Sequence, residues 1–146
     1  MYILYLNIKN CIVIRILSSI PDCVNCVQEL GAKSYKYLPI AQQLPMKFFH
    51  AFYWDEVQGG PSIDIEKAKE IKKNEFRYLR NPLLEKLDIL FMKSIEVDDL
   101  ELKQQVVAAK ESLRNITLQE MPDDYNILLN YIPQVFLDVS ELIVNH

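Results

Sequence analysis

Three glycines in 146 residues leave few positions where this chain can adopt positive φ cheaply. That shortage argues against a Gly-rich phosphate loop and against a barrel with many tight turns. Histidine is scarcer still. His50 and His146 are the only two, and neither has a neighbouring Ser, Cys or Asp with which to form a nucleophile–base pair. Cysteine is limited to Cys11, Cys23 and Cys26. An odd number with no secretory leader points to free thiols in a reducing compartment. Zinc needs four ligands, and only Cys11, His50 and His146 could join Cys23-x-x-Cys26, none at a recognised spacing. The pair falls near a helix start, as redox pairs do, but lacks their tryptophan and proline surroundings. Inert packed cysteines at i and i+3 describe it better.

Long apolar runs are missing too. The stretch from Met1 to Leu17 is broken by Asn7, Lys9, Asn10 and Arg15, well short of the roughly 18 apolar residues of a membrane span. No membrane association is expected, and the sequon Asn115-Ile116-Thr117 carries no glycosylation meaning in that setting. An excess of positive charge is also absent: sixteen basic against twenty acidic residues give a net charge of −4. Lys67, Lys69, Lys72, Lys73, Arg77 and Arg80 do cluster, but Glu66, Glu70 and Glu75 alternate with them. The run reads as a solvated helix face, and nucleic-acid binding is not expected.

What is present is an ordinary globular balance, half hydrophobic and a quarter charged, in a length suited to one compact domain. Residues 1–38 read as a β-β-α-β unit. Tyr2 to Leu6 and Cys11 to Leu17 are rich in Ile, Val and Tyr, with Asn7-Ile8-Lys9-Asn10 as the turn. Arg15 marks a solvent face, opposite Ile12, Ile14 and Ile16. A short helix follows, capped by Ser18 or Ser19, with Pro21 and Asp22 in its first turn. Val24, Val27 and Leu30 form its buried stripe and Gly31 stops it. Ser34 to Leu38 is a third strand.

Residues 39–62 read as a connector punctuated by Pro39, Pro45, Gly59, Gly60 and Pro61. It holds the densest aromatic run, Phe48-Phe49-His50-Ala51-Phe52-Tyr53-Trp54, which either docks a partner or covers a seam in the fold. Asp55 and Glu56 follow without calcium-loop spacing.

Residues 63–146 switch to helical periodicity. Ile65, Ala68, Ile71, Phe76, Leu79, Leu83, Leu87, Leu90 and Ser94 recur at three-to-five-residue steps, with Asp64 as N-cap. Pro82 predicts a kink or a break into two helices. Asp98-Asp99-Leu100-Glu101 has the logic of a capping box in which Asp98 caps, flanked by Val97 and Leu102 as a staple. Leu102, Val106, Ala109, Leu113 and Ile116 continue the stripe. The link is too short for anything but an antiparallel hairpin. Pro122-Asp123-Asp124 starts one short helix through Tyr131. Pro133 starts another, with Val135, Phe136, Val139, Leu142 and Ile143 inward. The expected fold class is α+β: a small antiparallel unit, a long helical hairpin and two short C-terminal helices.

The stretch from Ile63 to Thr117 also resembles a known kind of hairpin. Ile65-Glu66-Lys67-Ala68-Lys69-Glu70-Ile71-Lys72, Leu83-Leu84-Glu85-Lys86-Leu87-Asp88, Phe91-Met92-Lys93 and Lys110 to Thr117 look like the hairpin of small bacteriophage and prophage proteins of the tail module. Phe49 to Trp54 is similar to the aromatic stretch that often precedes it. The resemblance covers over a third of the chain closely and about two-thirds loosely. The last 25 residues depart from the family's usual short tail.

The resemblance implies a non-catalytic structural or assembly role in the virion or host cytoplasm, with other tail proteins as partners. It implies no cofactor, no metal and no catalytic residue. A cellular adaptor using the same hairpin is the competing expectation. The aromatic run, Leu84, Phe91 and Ile95, and Val135 to Ile143 offer more apolar surface than one small fold hides. A homo-oligomer or stable complex is therefore expected, with Phe52, Trp54, Phe91 and Phe136 as interface anchors.

Overall fold

The computed structural model describes residues 1–9 and 11–146; Asn10 and the side chain of Val24 lie outside the described residues. The fold class is α+β. The sequence points to one compact domain, whereas the chain forms two compact units, Met1–Ala68 and Lys69–His146. The aromatic connector belongs wholly to the first.

In that first unit, β1 (Tyr2–Ile8), β2 (Cys11–Leu17), α1 (Ile20–Leu30) and β3 (Ser34–Pro39) follow in order. The sheet runs β2-β1-β3, antiparallel at both junctions. Ile8 pairs with Cys11, and Lys9 takes φ +50°, as the first residue of a primed hairpin turn does.

Strand alternation assigns the two faces. Leu4 and Leu6 are fully buried with Cys23 of α1, and Val13, Leu17, Cys26 and Val27 pack around them. Arg15 lies opposite Leu4, so it shares the face that carries α1 and is exposed only because β2 is an edge strand. It marks a sheet edge, not a solvent face. The helix caps fall at Ser19, whose hydroxyl accepts from the Asp22 amide, and at Gly31 in the left-handed region. The inner stripe of α1 is Cys23, Cys26 and Val27; Leu30, expected inside, is 39% exposed.

The opposite face, bearing Ile3, Tyr5 and Asn7, is covered by the segment expected to be a connector. Two 3-10 turns, Ile40–Gln42 and Met46–Ala51, lead into a second hairpin, β4 (Phe52–Asp55) and β5 (Gly60–Ile63). Phe48 and Ala51 are buried. The Leu44 amide donates to the Tyr5 hydroxyl at 3.0 Å, and the Tyr5 and Phe52 rings lie 6.4 Å apart. Burial raises the Tyr5 phenol above its ordinary pKa despite that hydrogen bond. Asp55 closes the β4–β5 loop by accepting from the amides of Val57 and Gln58.

Helix α2 (Ile65–Glu96) starts at Asp64, whose carboxylate accepts from the amides of Glu66 and Lys67. Those bonds hold its pKa below the ordinary aspartate value. The helix runs unbroken through Pro82. Proline costs the carbonyl of Tyr78 its intrahelical partner, but both residues are on the exposed face, where water can replace it.

Helix α3 (Leu100–Arg114) returns antiparallel to α2. Lys110 pairs with Asp88 at 2.5 Å, and Arg80 donates to the carbonyl of Arg114 at 3.2 Å. After a 3-10 turn at Ile116–Leu118 come α4 (Tyr125–Asn130), capped by Asp124, and α5 (Gln134–Val144). Phe76, Leu87, Leu90, Leu102, Val106, Leu113, Ile116, Phe136 and Val139 form one core. Leu79, expected in the stripe, is 41% exposed.

The basic run is not wholly solvated. Lys72 is 2% exposed, paired with Glu75 at 3.0 Å and aimed at the carbonyl of Leu129. Its ammonium also lies 5.4 Å from the centre of the Phe76 ring, and Lys69 binds Asp123.

The turn of the helical hairpin places the N-cap of α3 one residue later than the sequence suggests. Asp98 sits at φ +54°. Its amide donates to the Ile95 carbonyl, and the Asp99 amide to that of Ser94, which is the Schellman closure with Asp98 where glycine is usual. Asp99, not Asp98, then caps α3 by accepting from the Leu102 amide at 2.9 Å. The expected staple is not made, since Val97 is 63% exposed.

Asp99→Ala should therefore cost about 1 kcal/mol. Asp98→Gly should stabilise by about 0.5–1 kcal/mol, because it relieves the left-handed backbone. Urea unfolding of the two variants checks both signs, and stabilisation by Asp99→Ala would refute this cap assignment. Leu87, fully buried, should cost about 2–5 kcal/mol on truncation to alanine. A loss within the surface range of about 0.5 kcal/mol in the same experiment would place it outside the core.

Candidate docking surfaces

The four aromatic residues expected to anchor a contact are placed very differently. Phe136 is 7% exposed, with its ring 5.7 Å from that of Phe76. It belongs to the core of its own unit and has little surface to offer, which corrects the expectation for this residue. Phe91 is half-buried against the same core, and the ammonium groups of Lys110 and Lys103 stand 5.2 and 6.0 Å from its ring centre. Those cations cap the ring much as a partner would. Phe52 and Trp54 are half-buried on β4, Phe52 stacked edge-on against Phe49 at 5.8 Å.

Aliphatic side chains of the hairpin form the more open surface. Ile89 is 71% exposed, Met92 58%, Val97 63% and Leu100 65%. Ile89 and Met92 are one turn apart on the outer face of α2, and Ile95, Val97 and Leu100 carry the apolar surface around the hairpin turn. None was singled out from the sequence as an anchor. The signal was available: Ile89 and Met92 sit three apart but out of phase with the stripe of half-buried Leu83 and buried Leu87 and Leu90, so both cannot face inward.

A second feature lies in the first unit. Asn7, Phe52, Tyr53, Trp54, Glu56 and Lys67 line a recess of about 330 Å³. Asn7 comes from the central strand and is 6% exposed. Lys67, at the start of α2, stands 3.5 Å from Asp64. Between α3 and α5 an open groove of about 360 Å³ is lined by Ala108, Ala109, Ser112, Val135 and Val139 among others.

The sulfur chemistry is quiet. Burial, then the neighbouring Asp22 charge, raises the Cys23 thiol above its ordinary pKa, the opposite of what a reactive thiolate requires. Among the described residues, no group of three or more His, Cys, Asp and Glu side chains is placed to hold a metal ion. His50 is exposed and stacks on Phe49, while the His146 carbonyl accepts from Lys93 at 2.6 Å. One stretch, Tyr125–Val144, is apolar and long enough by composition to cross a membrane. It folds here as α4 and α5, separated at Tyr131–Pro133, with Leu128, Phe136 and Val139 buried.

Comparison of the chain with protein-family models, with curated proteins and with solved structures finds no match.

The thiol environments give a direct check on these placements. In native protein, an aromatic disulfide reagent should modify exposed Cys11 first, half-buried Cys26 more slowly, and Cys23 only as fast as the unit unfolds. Modification of Cys23 at the rate of Cys11 would contradict its burial against Leu4 and Leu6.

Proposed function

We propose that this chain is a non-catalytic phage tail structural or assembly protein that works through protein–protein contacts. The observation that carries the contact part of this reading is the exposed aliphatic ridge of the hairpin, Ile89 and Met92 on α2 with Val97 and Leu100 at the turn. Isolated apolar side chains on a surface need no explanation, but several exposed ones on one helix end and the turn that follows it favour a partner. The tail-module part rests on the resemblance of residues 63–117 and their preceding aromatic stretch. Two packed helices suit such work, since helix-borne anchors are held in place by the core beneath them.

The candidate anchors shift accordingly. Phe52, Trp54 and Phe91 keep part of their surface, and the aliphatic ridge supplies the larger open area. Met92→Glu with Leu100→Glu should change stability by about 0.5 kcal/mol or less, because both sites are exposed. The double variant should lose association with the products of adjacent tail genes in co-expression pull-downs. Detection of the wild-type protein in purified particles identifies a virion component, and detection only in lysates before assembly identifies an assembly factor. Light scattering across a hundredfold dilution tests self-association. A 17.1 kDa monomer that binds no tail-gene product would defeat the proposal and favour the cellular adaptor.

A further inference from the structure

We propose that the trough between α3 and α5 binds an amphipathic helix of a partner protein, one whose apolar stripe is flanked by lysine or arginine. The inference goes beyond the exposed ridge of the hairpin, which is made of other residues, and does not depend on it.

The first observation is the length of the trough. The groove of about 360 Å³ shares Ala108, Ser112 and Val135 with a second recess of about 480 Å³ toward Leu118. It shares Gln105 with a third, of about 280 Å³, toward His146. Glu101, Gln105, Ala108, Ser112 and Asn115 recur along it at steps of four and three, which puts them on one side of α3. From Glu101 to Asn115 the helical rise gives about 21 Å, the length of a helix of roughly four turns. Val135, Val139 and Leu142 supply the apolar lining from α5, and Leu118 stands 79% exposed at one end.

The second observation is charge of one sign. Asp99, Glu101, Glu111 and Asp138 line the three recesses, and no lysine or arginine does. Elsewhere in the same unit carboxylates are answered by lysine: Glu70 by Lys73, Asp88 by Lys110 and Asp123 by Lys69. Among the described residues none of the four at the trough has such an ion pair. Glu101 and Asp138 accept instead from the neutral side chains of Gln105 and Gln134. Carboxylates gathered along an apolar channel raise a negative potential over it, which attracts a cation and repels an acidic partner. Lysine or arginine beside an apolar stripe is the complement, and acidic helices are rejected by the same field.

The backbone of the ligand decides its conformation. Both sides of the trough are helices, whose main-chain groups are paired within themselves. An extended peptide laid there would find no edge to pair with and would leave its own amides and carbonyls unsatisfied on an apolar floor. A helix satisfies them internally and offers residues at i, i+3 or i+4 and i+7 to Val135, Val139 and Leu142. The short side chains of Ala108, Ala109 and Ser112 leave room for those residues to enter between α3 and α5.

The experiment selects on the full chain from a displayed library of helical peptides of about five turns. Leucine is fixed along one stripe, and the flanking positions vary among lysine, glutamate and glutamine. Lysine flanks should be enriched, and the enriched peptide should bind saturably by fluorescence anisotropy. Glu111→Lys with Asp138→Lys, both at exposed positions, should select glutamate flanks instead and bind the lysine peptide at least about tenfold more weakly. Ala108→Trp, also at an exposed position, keeps every charge but fills the trough, and should weaken the same peptide at least about tenfold. The Met92→Glu, Leu100→Glu protein should bind it as the wild type does. No enrichment, flanks unchanged by the charge reversal, or full binding by Ala108→Trp would each overturn the proposal. Loss of binding by the Met92→Glu, Leu100→Glu protein would place the helix on the ridge and also overturn it. So would a self-associated wild type that Ala108→Trp converts to monomer, since a second copy would then fill the trough.

Discussion

A helix of 32 residues as heavily charged as α2 gains too little from propensity to hold in water unless one face is buried. Everything after it in the second unit is arranged to bury that face. Phe76, Leu87 and Leu90 meet Leu102, Val106 and Leu113 from α3, and Phe136 and Val139 from α5. Toward the start of the helix the inner face changes from apolar to cationic. Lys69, Lys72 and Arg80 reach Asp123, the Leu129 carbonyl and the Arg114 carbonyl respectively. Lysine at the end of a short helix such as α4 also meets the negative end of its dipole. Burying a cation this way adds little net stability, but it constrains where the segments after α3 can lie, since few other positions satisfy Lys72.

The first unit solves a different problem. Its central strand is apolar at nearly every position from Ile3 to Leu6, so a sheet with one wet face would leave half of those side chains in water. α1 covers Leu4 and Leu6, and the aromatic segment covers Ile3 and Tyr5. The second hairpin is thus a layer of the fold and not a tether. It is tied to β1 through Tyr5, whose hydroxyl accepts from the Leu44 amide and whose ring meets that of Phe52.

How much of this was legible follows from where local chemistry is decisive. The sheet strands, α1, α3 and the two C-terminal helices could be read because period, proline and cap residues agree within a few positions. The hairpin β4–β5 was missed because Gly59, Gly60 and Pro61 were read as linker punctuation. Flanked by Tyr53-Trp54 and Ser62-Ile63, the same residues are a strand–turn–strand signal. Lys72 was assigned to solvent because a lysine among glutamates has a solvated reading by composition; only tertiary packing shows that Phe76, one turn on, draws it inward. Asp98 and Asp99 were confused because both are good caps. The difference lies in which one the left-handed closure of α2 requires.

Interface anchors were the hardest to read, for a physical reason. Aromatic residues dominate contacts because they bury large areas, and the same property draws them into a small protein's own core. Phe136 is lost to the core of its unit, and Phe91 lies half-covered beneath two lysines. What remains open is aliphatic on the hairpin and polar-aromatic beside β4. Ile89, Met92 and Leu100 offer area without direction, the kind of surface that adapts to a partner helix or a second copy.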